Sequence, residues 1–256
     1  MSKENILFGR LGNKTTDIKH FIQYLPLDIK NVIEPFGGTF AVTRIIYNDN
    51  KYNKFVNDND EQLVEIYKNP EAYSTLCKHL NTIAKKHVNE NNNVIVKKFL
   101  EETEKDKLCI ENKNVYEYWK KEKIIRGGIV KIIKEINHTK MIDTMKNIKF
   151  TFEDYKIILD RYKYTKDSFI FLDPPYLFSD NSQYARQSKT QDTDMTDMIY
   201  IILDMLKDKK TKAKIMMIIN DLKLLRYLFK DYIKGDYTRV YQTAKRKCQH
   251  LIITNY

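Results

Sequence analysis

The sequence predicts an α/β domain on a mixed, mostly parallel sheet, interrupted by a mainly helical insert. Three observations lead there. Short apolar runs closed by glycine, proline or asparagine turns alternate with amphipathic segments over residues 1–69 and 143–256. Residues 70–142 lack that rhythm and are rich in Lys, Asn and Glu. The run Phe169-Ile170-Phe171-Leu172 stops abruptly at Asp173-Pro174-Pro175-Tyr176, because proline has no N–H for a sheet ladder. A carboxylate, a stiffened backbone and an aromatic ring thus come together at a strand's C-terminal edge, where open α/β sheets bind ligands. A length of 256 residues suits one sizeable domain with a smaller inserted subdomain.

In chain order, Phe8 to Thr16 reads as a loop holding Gly9, Gly12 and Asn13. Thr15 or Thr16 then caps a helix with Ile18, Phe21, Ile22 and Leu25 on one face. Lys14 beside that helix start suits a carboxylate or another anion. Asn31 to Val42 reads as strand, glycine turn and helix, continuing to Ile46 or Tyr47. Gly37 and Gly38 let the backbone approach a ligand closely. The turn is neither a G-x-G-x-x-G fingerprint nor a Walker loop, so no dinucleotide or ATP site is indicated. Residues 54–57 read as a second strand. Asp58, about 20 positions past the turn, is placed to accept hydrogen bonds from ribose hydroxyls. Asp58, Asn59 or Asp60 can also cap a helix over 61–67.

Residues 70–142 read as mostly helical, with polar loops such as 89–93. Within them Gly127-Gly128 separates two apolar runs, as a hairpin or a break between helices. The α/β rhythm resumes with a strand over 146–152, a helix over 153–162 and the strand leading to Asp173. A long polar loop over 177–194 carries Tyr184 and Arg186; loops beyond about a dozen residues are often functional. A helix over 195–206, a strand over 213–219 and a helix over 222–232 follow. Two closing strands, 237–243 and 250–256, are joined through Lys245-Arg246-Lys247.

Composition narrows the partners. The formal net charge is +11 with a pI near 9.2, which suits a polyanion, since basic surfaces gain by releasing counterions from phosphates. Residues 78–149 hold 17 Lys and Arg against 10 Asp and Glu, so +7 of that charge sits in that one stretch, which overlaps most of the insert. With Tyr116, Tyr118, Trp119 and Arg126 the insert fits a nucleic-acid surface; a solvated helical insertion with inward aromatics is the plainer reading. Cys77, Cys109 and Cys248 are widely spaced and form no C-x-x-C pair, which argues for reduced thiols in a cytoplasmic or nuclear setting and against a zinc site. No run approaches the roughly 18 apolar residues of a membrane span, and the first ten residues lack a signal peptide's apolar core.

The ordered motifs carry a resemblance. A basic loop with Lys14, then Glu34-Pro35-Phe36-Gly37-Gly38, acidic Asp58, a long insert and Asp173-Pro174-Pro175-Tyr176 resemble the Dam-type DNA adenine-N6 methyltransferases. The resemblance covers most of the chain and is weak over 70–142. It implies a Rossmann-like class I methyltransferase fold, with 1–69 and 143–256 as the catalytic domain and 70–142 as a target-recognition subdomain. It implies S-adenosylmethionine as cofactor, along Arg10, Lys14, Glu34, Phe36, Gly37, Gly38, Thr39, Asp58 and Asp173. It further implies double-stranded DNA as partner, a monomer or weak dimer, and no metal. Asp173, Pro174 and Tyr176 would be catalytic; Arg126, Tyr184, Arg186 and Lys245 would meet nucleic acid. The chain departs from the family at two points. The W-x-G-G-K loop loses its tryptophan, with Arg10 there, and Phe40 stands where another glycine is common.

The chemistry fits adenine. Its exocyclic amine is a poor nucleophile because the lone pair is delocalised into the ring. The Asp173 carboxylate and the Pro174 carbonyl can both accept its hydrogens and draw the nitrogen toward tetrahedral geometry. Tyr176 would stack on the extruded base. Rival readings are methylation of RNA adenine or of cytosine N4, and a degenerate, non-catalytic nucleic-acid-binding module.

Overall fold

The computed structural model describes residues 14–105, 138–176, 195–241 and 246–256. Contacts group them into two compact units, 61–150 and 14–60 with 151–256.

A seven-stranded sheet organises the fold: β1 (Asn31–Glu34), β2 (Asn53–Asn57), β3 (Lys149–Thr151), β4 (Ser168–Leu172), β5 (Lys214–Asn220), β6 (Ile233–Tyr241) and β7 (Arg246–Thr254). Their order is β3-β2-β1-β4-β5-β7-β6. β2, β1, β4 and β5 run parallel, and β7 is antiparallel to both β5 and β6. The mixed, mostly parallel sheet expected from the sequence is what forms. The chain moves outward one way from β1 to β2 and the other way from β4 to β5. β1 and β4 therefore flank the topological switch point, where a crevice opens beyond the strands' C-terminal ends. Glu34-Pro35-Phe36-Gly37-Gly38 leaves β1 there, and Asp173-Pro174-Pro175-Tyr176 leaves β4 beside it.

β4 and β5 read as nearly unbroken apolar runs because both sheet faces are buried there. Ile33, Ile170, Leu172, Ile215, Met217 and Ile219 face one core. That core is completed by Tyr155–Tyr162, Met195–Lys207 and Lys223–Leu228, the helices α7, α8 and α9. Val32, Phe169, Phe171, Met216 and Ile218 face the other, under Ile18–Phe21 (α1) and Ala41–Ile45 (α2).

In the unit 61–150 the described residues are mainly helical: Glu61–Lys68 (α3), Pro70–Lys86 (α4), Asn92–Lys105 (α5) and His138–Lys146 (α6). α4 begins on two local signals. Asn69 accepts a hydrogen bond from the Ala72 amide, and Pro70 sits in the first turn, where its missing N–H costs nothing. Tyr73, Leu76, Cys77, Leu80 and Ile83 form its buried stripe.

Several local expectations need correction. The strand over 146–152 is only Lys149–Thr151, because α6 continues to Lys146. The helix over 222–232 stops at Leu228: Phe229 is fully buried, and Tyr232 N–H closes a turn onto its carbonyl. β6 then starts at Ile233 and β7 at Arg246, both earlier than expected, because they pair along nearly their whole length. The first helix is broken into 3-10 turns at Lys14–Thr16 and Ile22–Tyr24 around α1, and Ile22 is exposed. Asp17, not a threonine, holds the N-cap position. Thr15 instead accepts from Arg44, and Thr16 donates to Asp17.

Candidate active site

Two loops and one turn meet at the switch point. The first loop follows β1. Gly37 N–H donates to the Asn57 carbonyl at 2.7 Å, so the loop lies hard against β2. A Cβ on Gly37 would collide with the Val56 side chain and come within 2.9 Å of that carbonyl, so only glycine fits. Gly38 has a φ of +50°, and its Cβ direction is open space. Its N–H donates to Asp58 Oδ2 at 2.8 Å, while Asp58 Oδ1 accepts from Asp60 N–H at 3.0 Å. Asp58 thus pins the glycine turn.

Phe40 follows in the left-handed region, at φ 38° and ψ 47°, and is completely buried. That torsion is one glycine adopts without steric cost. The Phe40 side chain cannot cap α2. Glu34 Oε1 serves instead, accepting from Thr43 N–H at 2.6 Å. Burial pushes the Glu34 carboxyl up to about 7, against the pull of the Thr43 hydrogen bond. Phe36 packs on Tyr155 with ring centroids 5.1 Å apart. Thr39 is buried, and its carbonyl accepts from Arg44 Nε at 3.1 Å. Arg44 also donates to the Thr15 hydroxyl at 2.6 Å, tying the glycine loop to the Lys14 turn.

Lys14 is the centre of the site. Its side chain is 3% exposed, and Nζ lies 2.6 Å from Asp173 Oδ1. The same ammonium donates to the Tyr176 hydroxyl at 2.8 Å and stands 5.2 Å from that ring's centroid. Burial raises the Asp173 pKa, and the Lys14 charge and hydrogen bond oppose that rise.

Behind this pair lies a second one that sequence reasoning missed. Arg239 of β6 donates to Asp17 Oδ2 at 2.8 Å, and the Tyr237 hydroxyl donates to the same oxygen at 3.3 Å. Tyr237 stacks on His250 of β7, which in turn meets Tyr176 edge-on. Polar residues at inward positions of two closing strands were the available signal, but an alternating pattern does not say which end of a strand reaches a site.

The structure brings Lys14, Glu34, Phe36, Gly37, Gly38, Thr39, Asp58, Asp173, Pro174 and Tyr176 to one end of the sheet. Arg10, Arg126, Tyr184, Arg186 and Lys245 lie outside the described residues. Among the described residues, no group of three or more His, Cys, Asp or Glu could hold a metal ion. No helix among them is long and apolar enough to cross a membrane.

A carboxylate, a proline pair and an aromatic ring thus stand together at the end of β4. The model of the D12 class N6 adenine-specific DNA methyltransferases matches residues 11–247. The chain belongs to that family. Methyltransferases of this D12 class generally use S-adenosylmethionine. The chain is also similar to the Type II methyltransferase M.CviBI of Paramecium bursaria Chlorella virus NC1A, with 26% identity over 283 residues, covering 96% of this chain and 97% of that protein. As a D12 methyltransferase the protein acts on DNA adenine N6, and the readings as a cytosine N4 enzyme, an RNA enzyme or a degenerate binding module fall away.

Proposed function

We propose that this D12 methyltransferase transfers a methyl group from S-adenosylmethionine to an adenine extruded from double-stranded DNA, with Asp173, Pro174 and Tyr176 holding the base. One observation carries the reading. The Lys14 ammonium is already bound as a target amine would be, on the Asp173 carboxylate and beside the Tyr176 ring. The site therefore accepts an N–H donor at that point, and Lys14 must yield it to the base.

The adenine amine then donates to the Asp173 carboxylate and the Pro174 carbonyl, so its lone pair is drawn out of the ring. Tyr176 stacks on the base and offsets the stacking lost from the duplex. Fixed geometry between the two reactants supplies much of the acceleration.

The cofactor's place is supported by the open space over Gly38 and the carboxylate of Asp58 beside it. Phe36, Gly37, Gly38, Thr39 and Asp58 would hold it, with Glu34, Lys14, Asp173 and Arg10 near its polar ends. When bound, it supplies the methyl group on a sulfonium. The insert within 70–142 is the target-recognition part in this reading, on the strength of its basic excess. Arg126, Tyr184, Arg186 and Lys245 contact DNA, and the enzyme works as a monomer or weak dimer. Charge reversal at Arg126 would lower DNA affinity and flatten its dependence on salt by about one charge.

The test is methyl transfer from labelled S-adenosylmethionine to unmethylated DNA, with nucleoside analysis of the product. N6-methyladenine is expected from the wild-type protein. Asp173→Ala should lose about 10²–10³ in kcat, the usual size for removing one positioned polar group, while cofactor binding persists. Near-native turnover by Asp173→Ala would sink the assignment.

A further inference from the structure

We infer that His250 is a positioning residue for methyl transfer: it clamps the Tyr176 ring, so the closing strands β6 and β7 set the platform on which the target base lies. The inference rests on the reading above, in which Tyr176 stacks on the extruded base.

The geometry is a column of four rings. His20 stacks on Tyr237 with centroids 4.8 Å apart and planes 7° apart. Tyr237 stacks on His250 at 5.0 Å and 15°. His250 meets Tyr176 at 5.3 Å and 61°, an edge-to-face contact. Such pairs have preferred orientations, so a fixed ring at one side restricts the ring at the other. The column is built into the fold. Tyr237 and His250 are direct cross-strand partners, so their side chains share a sheet face. The Tyr237 hydroxyl is held by Asp17, which Arg239 holds in turn. Asp17 N–H closes the turn onto the Lys14 carbonyl, so the support of Tyr176 and of Lys14 has one origin.

His250 does not behave as an ordinary core residue. It is completely buried, yet neither ring nitrogen has a hydrogen-bond partner among the described residues. The Cys248 backbone beside the ring pulls its pKa upward, against the burial. A buried polar group left so is costly and needs a reason. A purely packing role would be served better by an apolar side chain. Burial and the nearby Lys14 charge push the imidazole down to about 4, so the ring is neutral at neutral pH and stacks as an uncharged aromatic.

The experiment compares wild type, His250→Ala, His250→Phe, Tyr176→Ala and the double variant Tyr176→Ala/His250→Ala. Each is measured for kcat on unmethylated DNA, for S-adenosylmethionine affinity by calorimetry and for melting temperature. His250→Ala should lower kcat about five- to tenfold, the size of one aromatic pair contact, with cofactor affinity unchanged. His250→Phe, which restores a ring, should recover kcat to within about threefold of wild type. Tyr176→Ala should lose about ten- to a hundredfold, and adding His250→Ala should cost nothing more.

Wild-type kcat in His250→Ala, fully additive losses in the double variant, or no recovery with phenylalanine would each overturn the inference. So would a parallel fall in cofactor affinity and melting temperature that accounts for the lost activity. Retained kcat in Tyr176→Ala would remove the stacking role itself, and the inference with it. A loss in Tyr176→Ala alone leaves the proposed function standing and removes His250. Should His250→Ala not fold, His250→Gln against His250→Phe reads the same contrast between a non-aromatic and an aromatic side chain.

Discussion

Replacing Lys14 by methionine keeps most of the side chain's volume and deletes its charge. The ammonium is 3% exposed and lies 2.6 Å from an Asp173 carboxylate whose side chain keeps 19% of its exposure. Removing one partner of a fully buried pair costs about 3–5 kcal/mol; the carboxylate's residual access to water puts Lys14→Met near the lower end, about 3 kcal/mol at pH 8. The cost depends on pH. Burial already raises the Asp173 pKa against the pull of Lys14, and loss of Lys14 raises it further. A carboxyl with a raised folded-state pKa contributes stability in its protonated form, and that contribution is lost as pH rises through the folded value. Lys14→Met should therefore be nearly silent in acid and increasingly unstable toward pH 8. Urea denaturation of wild type, Lys14→Met and Lys14→Met/Asp173→Asn at pH 5 and pH 8 measures this. The double variant removes both charges and should recover most of the loss at pH 8. Equal penalties at both pH values, or a double variant as unstable as the sum of its parts, would refute the reasoning.

Two further perturbations test the glycine loop. Glu34 is pushed up to about 7, so the native state holds its proton where the unfolded chain has released it. Its contribution is full below the ordinary value of 4.5 and disappears by pH 7, a fall of about 3 kcal/mol. Glu34→Gln should flatten the stability profile across that window; an unchanged slope would put the proton elsewhere. Phe40→Gly relieves a left-handed torsion worth about 1 kcal/mol but empties a buried site worth about 3–5 kcal/mol. The variant should lose about 2–4 kcal/mol in urea denaturation, and equal or greater stability would show that the ring contributes nothing to the core.

Much of this protein is local, and the sequence determined it. Apolar runs gave β4 and β5 and the centre of β1, because a strand buried on both faces needs apolar side chains on both. Asp173-Pro174-Pro175-Tyr176 and Glu34-Pro35-Phe36-Gly37-Gly38 announced the ends of two strands, because proline and paired glycines act through backbone chemistry that needs no distant partner. Boundaries set by distant partners were misjudged. β6 and β7 extend each other beyond their β-prone residues, and burial of Phe229 ends α9 early. Tertiary structure decided the site. Lys14 and Asp173 are 159 positions apart, and Asp17 and Arg239 are 222 apart, so no periodicity could pair them. Their meeting follows from strand order, which sets β1 beside β4 and brings β6 and β7 round against the Lys14–Thr16 turn. The sequence supplied the charged and aromatic groups. Which charge neutralises which, and which ring holds Tyr176, was fixed by burial around one switch point, where an unpaired charge is too costly to leave.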